Sequence, residues 1–90
     1  IDADADLDAA IPAIVQSAFG YQGQKCSALS RLIVHREIHD RVLHRLVEAV
    51  SDMRTGDPSD PATRLGPLIE RVAVERVAGF VAEGRATSHV

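Results

Sequence analysis

Residues 19 to 35 read FGYQGQKCSALSRLIVH, and Cys26 within that run is the one cysteine of the 90-residue chain. A cysteine acts as a nucleophile only as its thiolate, so its surroundings decide what it can do. Gly23 lets the backbone bend tightly ahead of it, Lys25 places a positive charge beside it, and Ser27 follows at once. Backbone N–H groups left free where such a loop meets the next element would favour the thiolate further. The alternative is a small apolar residue buried between two elements, a common fate of a lone cysteine. The residues by themselves leave both readings open.

Other clusters that could do chemistry carry less. Asp2, Asp4 and Asp6 imitate the start of a calcium loop, but that loop needs a glycine where Leu7 stands and a glutamate where Ala13 stands. An acidic, capped helix start accounts for them better. His35, His39, His44 and His89 fit no zinc spacing: His39 and His44 lie five apart on a predicted helix and face different ways, and no second cysteine is present. No metal site is expected. Gly20, Gly23, Gly56 and Gly66 form neither a dinucleotide fingerprint nor a phosphate loop, so the chain is expected to bind no cofactor by a motif of its own.

The elements that must position Cys26 follow from periodicity. Asp6 precedes Leu7, Ile11, Ile14, Val15, Ala18 and Phe19 at helical spacing, which predicts a capped helix, kinked by Pro12 or regular only after Ile11. Gly20 and Gly23 bracket a loop, and Arg31, Leu32, Ile33 and Val34 read as a short buried strand. From Glu37 the period returns to 3.6, with Ile38, Val42, Leu46, Val50 and Met53 on one stripe widened by Leu43 and Val47. The stretch TGDPSDPATRLGPLI is turn chemistry throughout. A third amphipathic helix carries Val72, Ala73, Val77, Phe80 and Val81, with Gly84 as its expected C-terminal cap. The order helix, loop, strand, helix, loop, helix is α/β in kind, and one strand cannot make a sheet. The missing strands must come from a partner or from further chain, and Ile1 in place of Met points the same way.

Composition bounds the rest. Hydrophobic residues make up 46% and charged residues 26%, ordinary globular proportions, while aromatics are only 3%. A net charge of −3 with mixed signs and few aromatics gives neither a basic stripe nor a stacking platform, which argues against nucleic acid. No apolar run reaches the roughly 18 residues of a membrane span, and a single unpaired cysteine suits the cytoplasm. A domain of this size buries only about 60 to 65% of its unfolded surface, so its apolar faces are expected to drive self-association.

The run FGYQGQKCSALSRLIVH resembles the cysteine motif of the aldehyde dehydrogenase superfamily, in which a Gly-Gln-x-Cys loop follows a helix and leads into a strand. Its form GQKCSA is similar to that of the delta-1-pyrroline-5-carboxylate dehydrogenases, which oxidise glutamate semialdehyde to glutamate in proline catabolism. DADADLDAAI resembles the acidic stretch and helix just before that cysteine, and GDPSDPATRLGPLI the connection after it, so nearly the whole chain is covered. The resemblance implies that residues 1–90 are part of a catalytic domain. It implies Cys26 as nucleophile, the Cys26 N–H as an oxyanion donor, Ser27 as a contact for the substrate carboxylate, and Gly23 and Gln24 as residues that shape the loop.

It implies equally that the rest of an NAD-dependent enzyme lies elsewhere. Before Ile1 would come an NAD-binding domain, a glutamate general base and an asparagine donor. After Val90 would come a glutamate for the cofactor ribose, a substrate-anchoring loop and an oligomerisation segment. The chain alone is therefore expected to be inactive. Two other readings stand beside this one: a non-catalytic remnant that self-associates, and a cysteine hydrolase using one of the histidines as base.

Overall fold

At Asp6 the chain turns from extended to helical. With φ −69° and ψ 102°, its carboxylate accepts from the N–H groups of Asp8 (2.9 Å) and Ala9 (3.4 Å), two of the donors that a helix start leaves unpaired. In the computed structural model, which describes residues 1–87, α1 runs from there as Leu7–Phe19. His89, the fourth histidine considered above, lies outside the described residues. Pro12 is exposed within α1, and the helix is already formed at Leu7 rather than after Ile11. The carbonyl of Asp8, which a prolyl nitrogen cannot serve, belongs to an exposed residue that water can reach.

A short 3-10 turn, Arg36–Ile38, opens the second helical segment, its start capped by His35 Nδ1, which accepts from the Glu37 N–H at 3.4 Å. The α-helix proper, α2, is His39–Ser51. Leu7 and Ile11 of α1 meet Ile38 and Val42 in one core, with Ile1, Ile14, Leu32, Val34, Leu46 and Ala49 packed around it. Val42 is its centre at 1% exposure. The α2 stripe is buried at its start and thins toward its end, where Val47 and Val50 are exposed. At the rim Arg45 joins α2 to Asp8 of α1 at 2.6 Å, a surface pair that contributes at most about 1 kcal/mol.

The strand expected over Arg31–Val34 is extended chain instead, and the described residues contain no strand. Its burial still alternates: Leu32 and Val34 turn inward while Ile33 is 84% exposed. What it lacks is a ladder. The Ile1 amino group donates to the Ile33 carbonyl (2.6 Å) and the Ile1 carbonyl accepts from the His35 N–H (2.9 Å). Those are the two bonds one residue makes to a parallel neighbour. With α1 lying between the two segments, this is a single point of parallel contact and not a sheet. Only one other pairing occurs among the described residues, a parallel bridge between Thr55 and Leu65.

The third helix, α3, is Arg71–Thr87, and it corrects the expectation for Gly84, which lies inside the helix rather than capping it. Glycine weakens a helix without ending it, and the good helix formers Arg85 and Ala86 carry the turn onward. Among the described residues α3 packs against neither α1 nor α2. Its Val72, Val77, Phe80 and Val81 are all exposed. No described helix is long and apolar enough to cross a membrane.

This division between a packed pair and a loose helix is measurable by urea titration of the chain. Val42→Ala removes two buried methyl groups and should cost about 2 kcal/mol. Gly84→Ala adds a Cβ that meets nothing within 4 Å and should leave stability unchanged or raise it by up to about 1 kcal/mol.

Candidate functional site

Between the end of α1 and the extended segment the chain reverses twice in ten residues. The first reversal is the 3-10 turn Gly20–Gly23, in which Tyr21 (φ 53°), Gln22 (φ 59°) and Gly23 (φ 70°) are all left-handed. For Gly23 this is inexpensive, and the position also suits glycine because a Cβ there would lie 3.1 Å from the Ala18 carbonyl oxygen. For Tyr21 and Gln22 the left-handed region costs about 1–2 kcal/mol each. Strain of this kind persists only where the surroundings hold it.

The second reversal carries Cys26. Ala28 donates to the Lys25 carbonyl at 3.0 Å, closing a β-turn with Cys26 and Ser27 at its apex. Both residues are exposed, and Cys26 is a free thiol. Among the described residues the loop's backbone hydrogen bonds engage the N–H groups of Gln24, Ala28 and Leu29, not those of Cys26 and Ser27. The turn thus presents a thiol beside two available donors. Leu29 donates back to Ser17 of α1 at 3.1 Å and anchors the far side of the turn. Lys25 reaches the other way, its Nζ 5.6 Å from the centroid of the Tyr21 ring.

On the near side the loop is tied to the segment that follows α2. Gln24 Oε1 accepts from the Ile69 N–H at 3.1 Å. Gln22, with its carboxamide oriented to satisfy its neighbours, accepts from the Gly66 N–H at 3.0 Å and donates to the Tyr21 carbonyl at 3.1 Å. That segment is itself folded by its turns. Asp57 accepts from the Ser59 N–H and Asp60 from the Ala62 N–H, both at 2.8 Å. The Ser59 backbone N–H, and after it the Ser59 hydroxyl, hold the Asp57 carboxyl below the usual carboxylate range. The parallel bridge is closed by Gly56 N–H to the Leu65 carbonyl (3.0 Å) and Leu65 N–H to the Arg54 carbonyl (3.1 Å).

The structure therefore brings Gly23, Gln24, Cys26 and Ser27 into one loop and adds two residues that sequence reasoning missed, Tyr21 and Gln22. The faint signal was a pair of glutamines two apart flanking a glycine. The histidines are engaged locally: His35 caps a turn, His39 lies 2.8 Å from Asp40, and His44 lies 3.7 Å from Glu48 of its own helix. None of these contacts links a histidine to Cys26. No three His, Cys, Asp or Glu side chains among the described residues gather as a metal site would require.

The sequence profile described as the aldehyde dehydrogenase family matches residues 1–89. A 1-pyrroline-5-carboxylate dehydrogenase of Bacillus cytotoxicus is 44% identical over 85 residues, which are 94% of this chain and 16% of that protein. Proline utilization A from Bdellovibrio bacteriovorus superposes with a TM-score of 0.92 at 42% identity, over 96% of this chain and 9% of that one. An NAD-dependent aldehyde dehydrogenase from Sinorhizobium meliloti gives a TM-score of 0.89 at 34% identity, over 97% and 17%. The chain thus spans about one sixth of the length of the curated relatives it matches.

The left-handed turn makes a direct prediction. Gly23→Ala forces a Cβ toward the Ala18 carbonyl at a positive φ and should destabilise the chain by about 1–2 kcal/mol. Gly23→Asn, whose side chain tolerates that region, should cost less by thermal or urea unfolding.

Proposed function

Because the chain belongs to the aldehyde dehydrogenase family, we propose that it supplies the nucleophile loop of an NAD-dependent enzyme that oxidises glutamate semialdehyde, the open form of 1-pyrroline-5-carboxylate, to glutamate. The observation that carries this reading is Cys26, an exposed thiol at the apex of a turn whose neighbouring N–H groups are not used by the fold. Its support in sequence is the similarity to 1-pyrroline-5-carboxylate dehydrogenases over 94% of the chain.

The Cys26 thiolate adds through Sγ to the aldehyde carbon, and the carbonyl π electrons move onto oxygen. The Cys26 N–H, which the fold leaves free, would be the donor the chain contributes to stabilising it. Ser27, exposed at the same apex, would contact the substrate carboxylate. Loss of hydride from the carbon leaves a thioester on Sγ, and water cleaves it to release the acid and the thiol. In the complete enzyme, NAD would supply the acceptor for that hydride. Gly20–Gly23 form a turn that is left-handed from Tyr21 to Gly23, and not a phosphate loop between strand and helix. The general base and the cofactor contacts belong to chain outside these 90 residues, and the cytoplasm is the compartment in which a free, exposed thiol is maintained.

A second reading, a non-catalytic remnant that self-associates, draws on the apolar side chains α3 leaves uncovered. One measurement divides the readings, and a second tests what they share. In a full-length aldehyde dehydrogenase carrying this segment, Cys26→Ala and Cys26→Ser should lower turnover by on the order of 10⁴-fold or more while leaving NAD binding and folding intact. The 90-residue chain alone should show dimers or larger species by light scattering and no NADH formation; turnover by the purified chain, or by the Cys26 variants, would refute the proposal.

A further inference from the structure

We propose that Gln24, with Gln22 beside it, is a positioning residue that holds the Cys26 turn in place by clamping it to the backbone of residues 66–69. The inference rests on Cys26 being the nucleophile. It begins from what the loop lacks: Tyr21, Gln24, Lys25, Cys26 and Ser27 are all exposed, so no buried apolar side chain fixes this stretch. Behind Cys26 the anchor is the Leu29 to Ser17 hydrogen bond. Ahead of it, the contacts that reach beyond the loop are those of the two glutamines, Gln24 to the Ile69 N–H and Gln22 to the Gly66 N–H.

The clamp has the features of a fitted joint. Gln22 spans the Tyr21 carbonyl and the Gly66 N–H, so its carboxamide braces from outside the two non-glycine residues that are left-handed. Gly66 leaves room for that carboxamide, since a Cβ there would come within 3.2 Å of its terminal atom. The platform is firm because Leu65 is bonded on both sides to residues 54–56. The turn-rich GDPSDPATRLGPLI stretch is therefore more than a connection between helices: it carries the two backbone donors that set where the thiol stands. A nucleophile displaced by about 1 Å can lose on the order of 10²-fold in rate, so the clamp's effect should fall on chemistry rather than on substrate binding.

Among the described residues only the oxygen of the Gln24 carboxamide is hydrogen-bonded, and that makes the test specific. In the full-length enzyme, Gln24→Met keeps the shape and removes the acceptor, whereas Gln24→Glu keeps the acceptor. Gln24→Met should lower kcat by roughly 10- to 100-fold with KM changed less than about 3-fold, and should speed amide exchange in the peptide containing Gly66 and Ile69. Gln24→Glu should recover most of both losses. A kcat within about 2-fold of the parent enzyme for Gln24→Met, a matching rise in KM, or unchanged exchange at 66–70 would overturn the clamp. Turnover that survives Cys26→Ser would overturn the nucleophile reading instead, and is told apart because exchange at 66–70 would still respond to Gln24→Met.

Discussion

Everything around Cys26 depends on a backbone that turns left-handed for three residues in succession, Tyr21, Gln22 and Gly23. A right-handed continuation of α1 would carry the chain away from the core. The left-handed turn brings it back across the end of the helix, close enough that Leu29 bonds to Ser17. Two of the three residues have a Cβ that opposes this conformation, at a combined cost of about 2–4 kcal/mol. That is a large share of what a small domain has to spare. The strain is held from both sides, by α1 behind and by the Gly66 and Ile69 amides in front. A loop held in this way presents an exposed thiol in one place without burying it.

The rest of the molecule shows the same dependence on neighbours. The packed unit is small: Leu7 and Ile11 against Ile38 and Val42. Outside it, Ile33 and Ile69 are more than 80% exposed, and α3 turns valines and Phe80 to solvent. The segment from Arg31 to Val34 alternates like a strand and finds one parallel partner, Ile1. Such uncovered apolar surface accompanies a chain that belongs to the aldehyde dehydrogenase family and spans about one sixth of the length of its curated relatives. The same arrangement of helices and loops superposes, at a TM-score of 0.92, on 9% of the proline utilization A chain from Bdellovibrio bacteriovorus.

How much of this was legible in the sequence depended on the range of the interaction responsible. The Asp6 cap and the Leu7, Ile11 and Val42 stripes were readable because capping and 3.6-residue periodicity act within one or two turns. Gly23 was readable because a positive φ favours glycine. The strand was not, since a strand is defined by a ladder and this chain holds one rung of it. Gly84 misled because glycine marks helix ends only on average, and here Arg85 and Ala86 sustain the helix. The left-handed Tyr21 and Gln22 and the bond from Gln24 to Ile69 were beyond reach: the first runs against residue preference, and the second joins positions 45 apart.

The central claim is that Cys26 is the nucleophile presented by this loop, and titrating the thiol tests it most directly. A full-length aldehyde dehydrogenase carrying this segment, treated with increasing iodoacetamide at neutral pH, should lose turnover in proportion to carbamidomethylation of the peptide holding Cys26, with that site reacting faster than a free thiol. Saturating substrate should protect both. Full activity after complete modification of Cys26, or a labelling rate no faster than that of a free thiol, would contradict the account.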